Sequence, residues 1–274
     1  MIDILNNTVV ADQYNKDNYY ITVNNNTPTG FCVIYFSSND IWFPNNEQEF
    51  INSVIISNRY EWKNLRIHKA QKEIFIRDIY KSWYTMGINS KLNSIDAVIT
   101  FLRKETSGYN VITVGSSAGG YMAALTASLL NAQYALCFSP QFDITSEIKN
   151  NPILQKYEKL SAGKYYSITE YIKRSHTRIF YFFPRKNSQD YQQSLYIRDI
   201  AQVHSMPFSS SRHGVILPGK CILRLINMNI SELDHVFSFY NGKIPSPLRF
   251  TLQQLGIFET LNVILVYLAK ILRS

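Results

Sequence analysis

Ser117 sits at the centre of Gly115-Ser116-Ser117-Ala118-Gly119, a G-x-S-x-G pattern that follows a β-prone apolar run (111–114) and opens an alanine-rich stretch. The pattern has a steric reason. A serine held up on a sharp strand-to-helix turn is in strained backbone geometry, and the residues two positions away must be small. The turn also places the hydroxyl at a helix N-terminus, where the dipole and free amides favour developing negative charge. Two phosphate-binding readings of the same knot fail on the residues they require. After Gly115 come Ser116 and Ser117, so the second glycine of G-x-G-x-x-G is missing, and Tyr121 stands where a P-loop needs lysine.

A serine hydroxyl is a weak nucleophile at neutral pH and needs a base, usually histidine oriented by a carboxylate. Of five histidines, His68 precedes the serine, His176 lies before a strand, His204 starts one and His235 falls in a helical pattern. His213, in "PFSSSRHGVILP", follows a strand and is succeeded by Gly214, which lets the backbone bring the imidazole inward. His213 is therefore the expected base. The acid is expected after "RIFYFFP", where the loop "RKNSQDYQQS" holds one carboxylate, Asp190. Asp199 is the runner-up, and Asp143, after the strand that follows the serine, is a third candidate. The oxyanion needs two N–H donors. One is the residue after the nucleophile, Ala118. The other comes from an earlier strand-end loop, here "FSSND", where Ser38 is chosen over Ser37 and Asn39.

Residues this far apart must be gathered by a frame. "YYITV" (19–23), "GFCVIYFSS" (30–38), "EIFIRD" (73–78), 109–114, "YALCFSP" (134–140), "RIFYFFP" (178–184) and 204–210 predict strands. Helical spacing is seen at 90–105, through Leu92, Ile95, Val98, Ile99 and Leu102, and again at 119–130 and 191–202. "KCILRLINMN" and the C-terminal stretch are also helical in pattern. Strands alternating with helices predict an α/β fold, a mostly parallel central sheet with helices on both faces. Ligands in such sheets sit beyond the carboxyl ends of the strands, where every candidate above falls.

With those elements placed, Ser117 in its G-x-S-x-G, Asp190 after a late strand and His213-Gly214 after the next resemble the serine α/β-hydrolases, over roughly residues 19–240. More narrowly, "FSSND", "RDIYKSWYTMGIN" and "GSSAGGYMAALTASLL" are similar to proteins of capsule and lipopolysaccharide gene clusters. The resemblance implies one α/β-hydrolase-like domain over 1–274, with 241–274 a C-terminal helical extension. It implies acyl transfer through an acyl-serine, with acetyl-CoA as donor, no permanently bound cofactor, and a capsular or surface polysaccharide or oligosaccharide as acceptor. An esterase or glycan deacetylase is the alternative, and a non-catalytic glycan- or partner-binding relative a further one. The histidine-glycine oxyanion motif of lipases is missing, which argues against lipid esters. Trp42, Trp83 and Tyr84 are candidates for sugar stacking, with core or rim packing as the competing reading.

The composition is compatible with this. Net charge is +8, with 46% hydrophobic and 18% charged residues. The cations form no long run, so anionic partners are favoured but nucleic acid is not. Cys32, Cys137 and Cys221 are far apart with no C-x-x-C, so no zinc or redox motif is read and buried free thiols are expected. No signal peptide is read, and the most apolar segment, 261–272, is shorter than the ~20 residues a bilayer span needs. A cytoplasmic protein is expected, with association at the inner face of the membrane or with a capsule-synthesis complex left open. The C-terminal stretch is read as core or homo-oligomer packing, with an interfacial membrane helix as the alternative.

Overall fold

β-branched and aromatic residues crowd the apolar runs, and in the computed structural model these become seven strands. They are β1 (Tyr19–Val23), β2 (Phe31–Phe36), β3 (Lys72–Ile76), β4 (Asn110–Ser116), β5 (Tyr134–Phe138), β6 (Arg178–Pro184) and β7 (Val203–Phe208). The structure describes residues 3–4, 6–26, 28–149, 151, 154–155 and 163–271. The strands form one sheet in the order β1-β3-β2-β4-β5-β6-β7. All neighbours run parallel except the edge pair β1 and β3. β2, β4 and β5 are buried almost end to end, as a parallel sheet covered on both faces requires.

Alternation along each strand feeds two cores. From β2, Cys32, Ile34 and Phe36 face the helices Ile95–Glu105 and Ala118–Leu130, while Val33 and Tyr35 face Gly219–Ile226 and Ile230–Phe239. The three cysteines are free and buried. The helix expected from residue 90 starts at Ile95, because Ser94 caps it by accepting the Ala97 amide at 3.2 Å. Residues 90–94 are instead irregular, with Asn89 Oδ1 accepting the amides of Lys91 at 3.1 Å and Leu92 at 2.8 Å, and the loop before them is pinned by Asp78. That buried carboxylate accepts the amides of Tyr80 (3.0 Å), Ser82 (2.6 Å) and Tyr84 (2.8 Å), and the Ser82 hydroxyl (3.0 Å).

The chain ends in two helices. Pro247–Leu255 drives Phe250 into the second core but exposes Leu248 and Leu252. Ile257–Ile271 was expected to pack in the core or between copies. Thr260 is its one buried side chain among those described, so it does not join the core. Among the described residues, no helix is long and apolar enough to cross a membrane.

Candidate active site

The sheet order reverses around β2, with β3 on one side and β4 on the other, so loops leaving the carboxyl ends of β2 and β4 face one crevice. β4 ends at Ser116, and Ser117 turns the chain with φ 52° and ψ −124° before the helix Ala118–Leu130. A Cβ on Gly115 would lie 2.1 Å from the Gly119 carbonyl oxygen, and one on Gly119 would lie 2.3 Å from that of Phe36. Helix and strand approach this closely only because both positions lack side chains. No side chain caps this helix, so its first amides, beginning with Ala118, are left to a ligand.

Ser117, His213 and Asp190 are brought into one relay. The Ser117 Oγ is 2.9 Å from His213 Nε2, and His213 Nδ1 is 2.8 Å from Asp190 Oδ2. A carboxylate only accepts, so Nδ1 carries the proton and Nε2 is free to accept from the serine. Burial acts to lower the imidazole pKa, but the hydrogen bond and charge of Asp190 more than offset this and hold it above its ordinary value. Asp190 was expected in a loop. It lies instead in the first turn of the helix Ser188–Ile197, because Asn187 Oδ1 accepts the amides of Gln189 and Asp190, both at 3.1 Å. The same Asn187 donates from Nδ2 to the Ser211 carbonyl at 3.1 Å, tying the acid to the histidine loop. Gly214, at φ +87°, supplies the turn after His213, and Ser139 donates from Oγ to the Gly214 carbonyl at 3.1 Å.

The loop after β2 is held by partners that sequence reasoning missed. Glu61 accepts the Ser38 amide at 2.7 Å and the Ser38 hydroxyl at 2.8 Å, while its own amide donates to Ser37 Oγ at 3.2 Å. The Ser38 N–H, expected to hold the oxyanion, is thus engaged by a carboxylate. Burial raises the Glu61 pKa against the lowering effect of its Ser38 hydrogen bonds. Trp62 donates from Nε1 to the Phe36 carbonyl at 3.2 Å, and the Tyr84 hydroxyl donates to that of Ser37 at 2.7 Å. No motif marks "RYEWKN", and only the fold brings it here.

A hollow of about 550 Å³ opens over Ser117 and His213. Its wall is mixed: Asp40, Arg59, Glu61, Lys63, Asn64 and Arg212 bring charge and polarity, and Leu65 and Val215 are apolar. The aromatics that were candidates for sugar stacking are elsewhere. Trp42 and Tyr84 are fully buried and Trp83 nearly so, with their polar atoms on Ile79, Ser37 and Gln141, so they pack the core. Tyr60 and Trp62 line the hollow in their place. Asp199 pairs with its exposed neighbour Arg198, and Asp143 caps Thr145, so neither reaches the histidine. His204 is in β7, stacked on Phe180, and His235 is on the helix Ile230–Phe239.

No protein-family model and no curated protein matches the sequence. Solved structures do. The capsule O-acetyltransferase of Neisseria meningitidis serogroup A superposes with a TM-score of 0.51 at 13% identity, covering 82% of this chain and 91% of that chain. Est1E from Butyrivibrio proteoclasticus covers 79% of this chain and 94% of its own at 11% identity, with a TM-score of 0.46. Identity at this level carries the fold and leaves the chemistry to the residues. The sheet order, the turn after β4 and this likeness agree: the chain has the α/β-hydrolase fold.

Proposed function

We propose that this protein transfers an acyl group through an acyl-serine at Ser117, most simply an acetyl group from acetyl-CoA to a hydroxyl of a surface polysaccharide. The observation that carries the reading is the continuous path from Ser117 Oγ through His213 to the buried Asp190. His213 Nε2 takes the serine proton as Oγ attacks the thioester carbonyl, and the oxyanion rests on the Ala118 amide. His213 then returns the proton to the departing thiolate. In the second half an acceptor hydroxyl gives its proton to His213 and attacks the acetyl-serine, and His213 passes that proton to the departing Ser117 Oγ, restoring both residues.

The charged and polar side chains on the wall offer partners to a hydroxylated acceptor, and Arg59, Lys63 and Arg212 would suit the phosphates of coenzyme A. The likeness to a structure named as a capsule O-acetyltransferase supports the same choice. The buried free thiols suit the reducing compartment where such a donor is found. Purified protein and Ser117→Ala would be incubated with radiolabelled acetyl-CoA and a panel of capsular polysaccharides. Serine-dependent label in polymer is expected. Serine-dependent acetate release without polymer label would make the same site an esterase, and silence from both proteins would overturn the acyl-serine.

A further inference from the structure

The C-terminal helix Ile257–Ile271 raises a problem of partners. At fifteen residues it is about 22 Å long, too short to span a bilayer and marginal on its own in water. Yet Phe258 is 88% exposed, and Ile257, Leu261 and Leu265 are each more than half exposed. At ~100° per residue these four share one arc, and Thr260, which anchors the helix to the chain, lies outside it. The preceding helix adds exposed Leu248 and Leu252.

Two cations lie on the segment that leads into this helix, Arg249 on the same preceding helix as Leu248 and Leu252. Lys243 and Arg249 line a hollow of about 170 Å³ next to exposed Ile244. Lys243 lies over the ring of exposed Phe239 at 4.0 Å. Among the described residues neither cation has a carboxylate partner, whereas Lys220 nearby is neutralised by Glu259 at 2.6 Å. We propose that this face seats on an anionic phospholipid surface, with the helix lying in the interface and Lys243 and Arg249 meeting lipid phosphates. Charge decides between lipid and a second copy. A two-fold interface would bury the same unpaired cations twice, in a chain already at +8, while a lipid phosphate neutralises them. The proposal is independent of the acyl-transfer chemistry.

The test is co-sedimentation of the full chain with phosphatidylcholine vesicles, with and without phosphatidylglycerol, at low and high salt. Binding is expected only with phosphatidylglycerol and is expected to weaken with salt. Lys243→Ala with Arg249→Ala should weaken partitioning roughly thirtyfold, about fivefold for each cation lost. Leu261→Asp should abolish binding while circular dichroism and Tm stay at wild-type level. If that variant misfolds, the cation pair still decides. Failure to bind phosphatidylglycerol vesicles, or binding indifferent to the cation pair, would overturn the proposal. So would a lipid-free dimer by light scattering that Leu261→Asp splits.

Discussion

Gly119→Ala tests whether the close approach of helix to strand places Ser117, the proposed nucleophile. The added Cβ would lie 2.3 Å from the Phe36 carbonyl oxygen, 2.8 Å from its carbon and 2.9 Å from the Ser37 carbonyl carbon. All three are backbone atoms at the end of β2, and the Phe36 oxygen is further held by Trp62. The strand cannot yield, so the helix must withdraw by about 1 Å to reach ordinary contact, at a cost of about 1–3 kcal/mol. For a chain of this size that lowers Tm by roughly 2–4 °C per kcal/mol. Ser117 precedes this helix and moves with it, away from the loop holding Ser38. A displacement of that size reduces rate by about 10². The assay is thermal unfolding beside kcat/KM on p-nitrophenyl acetate and the rate of fluorophosphonate labelling. Gly120→Ala is the milder comparison, because its Cβ would meet Pro140 Cβ at 3.0 Å, Pro140 Cα at 3.2 Å and the Gly115 carbonyl oxygen at 3.3 Å, contacts that a shift of a few tenths of an ångström relieves. Its Tm and rate should fall less than those of Gly119→Ala. A Gly119→Ala protein with wild-type Tm and labelling rate, or a more severe effect at Gly120, would refute the reasoning.

Ser117→Ala should remove fluorophosphonate labelling and lower turnover by on the order of 10⁶ while Tm is kept or raised. Asp190→Asn should cut kcat by about 10⁴, and should shift the acid limb of the pH–rate profile downward, because the carboxylate is what raises His213. The raised His213 pKa has a stability consequence of defined sign. The pair stabilises the fold fully below the ordinary histidine value of ~6.5, and this is lost as pH rises through the raised value. His213→Asn should therefore lower Tm more at mildly acid than at alkaline pH. Asp78→Ala should leave two buried amides and a half-buried one without an acceptor and lower stability by about 2–5 kcal/mol, read by denaturant unfolding.

How much was legible follows from where the information sits. Strands β4 to β6 were readable because both their faces are buried and their apolar runs are uninterrupted. Ser117 and His213 were readable because each is flagged by neighbours with a steric job. Asp190 was found by elimination, yet its helical setting was hidden in the Asn187 cap, a choice of hydrogen bond that composition does not announce. Glu61 and Ser139 act on the site through contacts with distant loops, so no local spacing marks them. Residue type alone left two readings open for the aromatics, and core packing, the stronger of the two, is what Trp42 and Tyr84 do.

The backbone at Ser117 has an implication for how such a protein ages in evolution. A serine at φ 52° and ψ −124° is maintained against a conformational preference worth on the order of 1–3 kcal/mol, which glycine would not face. Drift from serine to glycine at this position is therefore downhill for folding and ruinous for a nucleophile. Selection for stability alone would erase the hydroxyl, so its persistence in a lineage has to be maintained by something other than the fold.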